Sequence, residues 1–211
     1  MVKPNYDPPA DFSVIGPEHN LRRMRLSDFE RADAVEGFRY ELIEGVLEVS
    51  PAPGRIGKFL AIKFRDILRD YQLKVGEDRS FSLVAWEPRL MISGVEDAAT
   101  NPEPDVAAYV CPVSPTDDSW QGVTPALVIE VVSPHDAPKD YVRNVRLYAM
   151  VDTILEYWVV DPTKGMPPRL AVFHRSAGNE PFQRFDVPPR GCYESKHWPG
   201  LVVDLAALPT K

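Results

Sequence analysis

Ala126-Leu127-Val128-Ile129-Glu130-Val131-Val132 and, earlier in the chain, Pro104-Asp105-Val106 are the stretches that decide the fold. Each places one carboxylate in a segment that is otherwise typical of a buried β-strand. Side chains alternate along a strand, so Glu130 shares a face with Val128 and Val132, while Ile129 and Val131 point the other way. Both faces are apolar, which predicts a strand at the centre of a sheet that is covered on both sides.

A carboxylate in such a strand has to be explained, because removing its charge from water costs several kcal/mol. It must be paired, protonated or bound to a cation. If Asp105 and Glu130 lie on adjacent strands, their oxygens and a backbone carbonyl near Val131 form the hard-oxygen shell that Mg²⁺ or Mn²⁺ prefers. Such an ion can activate a water and neutralise charge on a phosphoryl group during in-line displacement. A structural acid paired with an arginine is the alternative at each position.

The surrounding patterns predict both helices and strands, in the order helix, hairpin, helix, strands, helix, strands. The capping-box pattern from Ser27 to Glu30 predicts the start of a short helix, and Glu44-Gly45 predicts the turn of a β-hairpin. Residues 1–18 are proline-rich and are expected to form an extended arm, followed by one domain over residues 19–211. Helical spacing is found at 55–73 and 139–151, and strands are predicted at 81–86, 89–92, 105–110, 126–132, 154–160, 170–175 and 182–187. In the helix over 139–151, the residues expected to face inward are Val142, Val145, Tyr148 and Ala149.

Composition excludes several classes of protein. No apolar run approaches the roughly 18 residues of a membrane helix, and the first residues lack the apolar core of a signal peptide. We therefore expect a cytoplasmic protein without a membrane partner. The net charge of −7 argues against a general nucleic-acid coat protein, because affinity for phosphates comes mainly from Lys and Arg. Local basic clusters at 22–25, 55–74 and 139–146 are more simply explained as solvated faces.

The order of several motifs resembles the Uma-type restriction endonucleases of the PD-(D/E)xK nuclease superfamily, over about residues 26–208. The matching segments are 40–45, Pro104-Asp105-Val106, 128–134, 140–148, 156–162 and Pro199-Gly200-Leu201. The resemblance implies a mixed α/β (α+β) fold with a restriction-endonuclease-like core, in which helices flank a central mixed β-sheet. It also implies Asp105 and Glu130 as metal ligands and Glu41 as an additional acid. It also implies Mg²⁺ or Mn²⁺ as the cofactor, DNA as the substrate and a homodimer.

The chain departs from the family pattern where a catalytic lysine is expected. The position two residues after Glu130 is Val132, and the position on the following helix where relatives often carry lysine is Asn144. Lys139 is the candidate catalytic cation in its place, with Arg143 as a neighbouring alternative. On an ideal α-helix Lys139 lies about 500° of rotation from Asn144. Loss of a cation that stabilises the charge of the transition state can lower the rate of catalysis by orders of magnitude.

Two functions follow from these patterns. The first is a metal-dependent DNA endonuclease that hydrolyses phosphodiester bonds with a metal-activated water. The second is a catalytically degraded family member that acts as a nucleic-acid or protein binding homodimer. Glu156 lies in a strand much like that of Glu130, and we interpret it as a salt-bridged structural acid rather than a site residue.

Overall fold

The computed structural model describes residues 12–113, 122–134, 138–165 and 167–208. The chain divides into two compact units. Unit 1 comprises Met1–Ala52 and Ser93–Pro102, and unit 2 comprises Pro53–Ile92 and Glu103–Lys211. The single domain expected over residues 19–211 stays a prediction. Of the arm expected over residues 1–18, the first eleven residues lie outside the described part of the chain.

Unit 1 is built on a β-hairpin. Strands β1 (Val14–Ile15) and β2 (Asp33–Ala34) pair in parallel, helix α1 spans Leu26–Arg31, and the hairpin consists of β3 (Phe38–Ile43) and β4 (Val46–Pro51). The two-residue turn expected at Glu44-Gly45 is confirmed, with φ of 51° and 74° as a type I′ turn requires. A Cβ atom on Gly45 would lie 2.2 Å from the carbonyl oxygen of Asp97, so glycine is required there for space as well.

The capping box expected at Ser27 is wrong, because α1 begins one residue earlier. Arg25 occupies the N-cap position and makes no side-chain capping bond. The backbone N–H and the hydroxyl of Ser27 instead both donate to Oε1 of Glu96. A carboxylate distant in sequence therefore accepts the hydrogen bond of a free N–H group in the first turn of α1. A local sequence pattern does not reveal such a partner.

Unit 2 contains the central sheet that the sequence predicted. Its six strands are β5 (Leu83–Trp86), β6 (Val106–Tyr109), β7 (Leu127–Val131), β8 (Glu156–Asp161), β9 (Arg169–His174) and β10 (Gln183–Asp186). They lie in the order β10-β9-β8-β7-β6-β5, and β7 pairs with β8 in parallel while the other neighbours are antiparallel. The mixed sheet and the central position of β7 are confirmed. A separate antiparallel pair, β11 (Cys192–Glu194) and β12 (Val202–Asp204), completes the strands.

Each face of β7 packs against its own apolar cluster. Ile129 and Val131 belong to the cluster that includes helix α2 (Arg55–Val75), whereas Val128 and Val132 belong to the cluster that includes Tyr148. The alternation expected from the sequence is therefore confirmed, and Glu130 lies on the Tyr148 side. No helix within the described ranges is both long and apolar enough to cross a membrane.

Two predicted elements differ from the structure. Residues 89–92 form no strand. The helix expected over 139–151 begins as a π-helical turn, Lys139–Arg143, and continues as the short α-helix α3 (Asn144–Ala149). The π turn rotates the following residues relative to an α-helix, and π turns are frequent at functional sites. Val142, expected inside, is 62% exposed, whereas Asn144 is fully buried.

Candidate active site

Asp105 and Glu130 lie beside each other at the edge where β6 meets β7. Val106, the first residue of β6, pairs with Ile129 of β7, so Asp105, which directly precedes β6, comes next to Glu130. The backbone N–H of Asp105 donates to Oε2 of Glu130 at 3.4 Å, and the N–H of Val131 donates to Oδ2 of Asp105 at 2.6 Å. Both acids are buried, at 3% and 2% exposure. The structure thus brings together the two carboxylates that the strand pattern singled out.

The segment after β7 adds an amide, a phenol and a third acid to this pair. The Asn144 amide donates to Oε1 of Glu130 at 3.0 Å and to Oδ1 of Asp140 at 3.3 Å. The Tyr148 hydroxyl donates to the same Glu130 oxygen at 2.6 Å. Asp140 is itself buried. Asp140, Asn144 and Tyr148 follow one another at intervals of four residues, so they line one side of the helical segment that faces Glu130.

Arg143 is in contact with this group through Asn144. Its Nε and Nη2 donate to the side-chain oxygen Oδ1 of Asn144 at 3.1 and 3.0 Å. The guanidinium and the two carboxylates thus fix which end of the Asn144 amide is the donor and which the acceptor. A positive charge therefore lies one amide group away from Glu130 and Asp140.

The separation expected between Lys139 and Asn144 on an ideal helix is wrong. The N–H of Asn144 donates to the carbonyl oxygen of Lys139, which is a hydrogen bond across five residues. One π turn therefore separates the two residues, instead of nearly one and a half α-helical turns. Lys139 is half-buried, and its role as a catalytic cation stays a prediction.

The pKa of the buried Tyr157 phenol is affected by the charges of the nearby acids. Its hydroxyl donates to the carbonyl oxygen of Asp140 at 2.9 Å. Burial raises the pKa of the Tyr157 phenol well above its usual value, and the nearby charges of Asp140, Glu130 and Asp105 raise it further. Several negative charges thus act together on one buried group, which is the situation that a bound cation relieves.

Glu41, the additional acid implied by the family resemblance, belongs to unit 1. It lies on β3 opposite Glu48 of β4 and is 2% exposed. An exposed acid would be ordinary in an alternating hairpin strand, but a buried one is not. Its role as a metal ligand stays a prediction.

Glu156 is a structural acid, as the sequence suggested, but hydrogen bonds rather than a salt bridge account for its burial. Its Oε2 accepts from the Trp158 indole at 2.7 Å and from the Tyr193 hydroxyl at 3.1 Å. Its Oε1 accepts from the Ser195 hydroxyl at 2.7 Å and from the N–H of Lys196 at 3.0 Å. These donors satisfy both oxygens of the carboxylate.

The Glu156→Gln substitution is expected to destabilise the protein by about 2–4 kcal/mol, because the amide NH₂ would face donors that need an acceptor. Thermal unfolding should therefore shift down by about 5–10 °C. The matched control is Glu194→Gln on β11, where the side chain is exposed and its Oε1 can still accept from the N–H of Gly200. An unchanged melting temperature in Glu156→Gln would contradict this account.

Sequence reasoning missed Asp140 and assigned Tyr148 to the core alone. The four-residue spacing of Asp140, Asn144 and Tyr148 was the available signal, and it follows directly after the strand that carries Glu130. Asn144 was noticed only as the residue that replaces a lysine. Its contacts with Glu130 and Asp140 are tertiary, and the apolar pattern does not show them.

The donor set fits a hard divalent cation. Within the described residues, no group of three or more His, Cys, Asp or Glu side chains forms a metal-binding cluster. Mg²⁺ is usually bound by one or two carboxylates and keeps several of its waters. Asp105 and Glu130 supply such a pair of oxygen ligands. These two residues would hold the ion.

Comparison with solved structures identifies the class of the fold. The chain is similar to the crystal structure of "a putative nuclease belonging to DUF820" from Anabaena variabilis, with 17% sequence identity and a TM-score of 0.63. The alignment covers 87% of this chain and 96% of that one. The fold is therefore that of a nuclease-like mixed α/β protein. No curated protein matches the chain.

The family follows from the sequence match. The family model Uma2, described as "Putative restriction endonuclease", matches residues 26–202. This is most of the chain, and the protein belongs to the Uma2 family. The resemblance seen in the sequence motifs is thereby confirmed.

Proposed function

We propose that this protein is a divalent-metal-dependent endonuclease that hydrolyses phosphodiester bonds in DNA. The observation that carries the proposal is the hydrogen bond from the backbone N–H of Asp105 to the Glu130 carboxylate, which joins two buried acids where the central strands β6 and β7 meet. Asp105 and Glu130 hold Mg²⁺ or Mn²⁺, Glu41 is an auxiliary acid and Lys139 is a candidate catalytic cation. A cytoplasmic location and a homodimer, both expected at the level of sequence, are part of the proposal.

The remaining residues of the site orient the two ligands. The Val131 N–H fixes Asp105, while the Tyr148 hydroxyl and the Asn144 amide fix one oxygen of Glu130. Ligands held in this way need little rearrangement when the ion binds, and such supporting contacts typically raise metal affinity 10- to 100-fold. When bound, the ion lowers the pKa of a coordinated water and neutralises charge on the phosphoryl group.

The contacts of Asn144 support a second candidate function. Its amide satisfies Glu130 and Asp140 together, but it brings no positive charge to the reacting phosphate. A site completed in this way suits a catalytically degraded member of the family that binds nucleic acid or protein as a homodimer. The two candidates differ in whether added metal produces strand cleavage.

Metal binding is tested by thermal unfolding with and without Mn²⁺. A ligand at 100 times its dissociation constant stabilises the native state by about 2.7 kcal/mol, which raises the melting temperature of a chain of this size by about 5–10 °C. We expect this shift in the wild type and its loss in Asp105→Asn and Glu130→Gln. Glu156→Gln is the matched control, since it removes a buried acid outside the site and should keep the shift.

Nicking of supercoiled plasmid then distinguishes the two candidates. Cleavage by the wild type that needs Mg²⁺ or Mn²⁺, stops with EDTA and is absent in Glu130→Gln supports the endonuclease. A metal-induced shift without cleavage favours the binding protein. A wild type whose melting temperature does not respond to either metal would end the metal hypothesis.

A further inference from the structure

A cleft of about 670 Å³ opens at the end of β8, within the size range of ligand sites. Its lining includes Tyr141, which follows Asp140 directly in the π turn, and Asp161, the last residue of β8. Glu130 pairs with Val159, so Asp161 lies on the same sheet face as Glu130, two residues further along the neighbouring strand. The part of the cleft that Asp161 forms therefore lies on the same side of the sheet as Glu130, and Tyr141 connects it along the chain to Asp140.

The charged residues of the cleft leave an excess of positive charge. The Asp161 carboxylate accepts a hydrogen bond from the backbone N–H of Thr163 at 2.8 Å and another from the Tyr141 hydroxyl at 3.3 Å. Asp186 is paired with Arg184 at 2.7 Å. Within the described part of the chain, the side chains of Lys164 and Arg169 have neither a hydrogen bond nor an ion pair, and both are exposed. In a protein with a net charge of −7, such a pair of cations marks a place suited to an anion.

The same cleft contains a flat cationic platform. The Arg184 guanidinium lies over the rings of Tyr141 and Phe173, at 5.2 and 5.7 Å from their centroids. Nε and Nη2 of Arg184 both donate to Oδ1 of Asp186, which fixes the orientation of the guanidinium in its own plane. The Arg184 side chain is about half exposed, and stacked Arg and aromatic groups bind bases without regard to sequence. The cleft therefore combines phosphate-binding charges with a surface for a base.

We infer that this cleft binds one nucleotide unit of the DNA strand beside the cleavage point, with its phosphate on Lys164 and Arg169 and its base against the Arg184–Tyr141 stack. The inference rests on the proposed function, because it names where that substrate continues beyond the two acids. It adds a binding site to the chain that lies outside the Asp105–Glu130 pair. A free phosphate ion shares part of this chemistry, and the test separates the two.

The test measures binding of a fluorescein-labelled single-stranded DNA oligonucleotide, whose bases are free to stack, by fluorescence anisotropy in EDTA, so that cleavage does not contribute. We expect the double variant Lys164→Gln/Arg169→Gln to weaken binding about tenfold at moderate salt and to lower the slope of log affinity against log salt by about 1.4. The matched control is Lys74→Gln/Arg79→Gln, which removes two exposed cations near β5, at the opposite edge of the sheet. The control should stay within about twofold of the wild type.

A second pair of variants tests the platform. Tyr141→Leu should weaken binding several-fold with no change in salt slope, and Tyr141→Phe, which keeps the ring, should bind as the wild type does. Equal losses in the two double variants, or none in Lys164→Gln/Arg169→Gln, would overturn the inference. Displacement of DNA by inorganic phosphate, but not by sulfate at matched ionic strength, would also overturn it, since it indicates a small-anion site.

Failure of this inference can be distinguished from failure of the proposed function. A wild type that binds no DNA in EDTA overturns the cleft proposal. The Mn²⁺-induced thermal shift and plasmid nicking remain independent measurements of the metal site. Metal-dependent nicking by a Lys164→Gln/Arg169→Gln protein with unchanged DNA affinity would keep the endonuclease and reject the cleft.

Discussion

Replacing Asn144 with lysine is expected to raise the rate of metal-dependent plasmid nicking by about 100-fold, the usual worth of one well-placed electrostatic contact in a transition state. Position 144 is where the family resemblance expects a lysine, and the Asn144 amide nitrogen already lies 3.0 Å from Glu130 and 3.3 Å from Asp140. An ammonium group there would be held by two carboxylates. It would add the charge that a phosphoryl group needs as its negative charge develops.

The controls separate charge from shape. Asn144→Met has a side chain of similar length to lysine but no charge, and should show no gain. Glu130→Gln combined with Asn144→Lys should be inactive, which excludes a contaminating nuclease. A folded Asn144→Lys protein that binds metal but cleaves no faster than wild type would show that another cation already fills this role. Arg143, which contacts the Asn144 amide, would then be the first candidate, and Arg143→Gln the next variant to measure.

The sequence predicted the pair of acids because strand patterns carry two kinds of information. The apolar run around Glu130 indicated a central strand, and alternation gave the face of its side chain. Asp105 was expected at the start of another buried strand, and in the structure it directly precedes β6, where the pairing of Val106 with Ile129 brings it beside Glu130. In this part of the protein the positions expected from the strand pattern agree with the positions in the structure.

The helical side of the site was not predictable in the same way. A period of 3.6 residues was assumed over 139–151, and it placed Val142 inside. In the structure residues 139–143 form a π turn, in which Val142 is 62% exposed, whereas Asp140 and Asn144 are buried. Nothing in the apolar spacing signals such a turn. Polar residues at intervals of four were a better indicator of this face than the apolar ones.

Glu130 and Glu156 show why burial alone does not identify a site. Both residues lie in apolar strands of similar sequence, and both are buried. Glu156 is surrounded by donors from residues 193–196, about forty positions later in the chain. Glu130 also accepts hydrogen bonds on both oxygens, but one of its donors is the backbone of Asp105 and another, the Asn144 amide, is shared with Asp140. The difference is set by long-range partners, so only the structure separates the structural acid from the candidate ligand.

Arg175→Met is expected to destabilise the protein by about 3–5 kcal/mol, because it leaves several buried carbonyl groups without donors. The Arg175 guanidinium donates to the carbonyl oxygens of Ala149 at 3.0 Å, Ile154 at 2.8 Å and also Val151. It lies 4.7 Å from the centroid of the Phe182 ring, and the residue is 2% exposed. Ala149 is the last residue of α3, so this single side chain anchors the end of the helix that presents Asn144 and Tyr148 to Glu130.

Chemical denaturation measures this effect, and Arg146→Met is the matched control. Arg146 lies on α3 itself and is exposed, so its loss should change the free energy of unfolding by no more than about 0.5 kcal/mol. Arg175→Lys keeps the charge but reaches fewer carbonyls, and should fall between Arg175→Met and the wild type. Because α3 supports Glu130, we also expect Arg175→Met to reduce the Mn²⁺-induced thermal shift while it remains folded. Equal stability of Arg175→Met and Arg146→Met would show that α3 is held by its apolar contacts with the sheet alone.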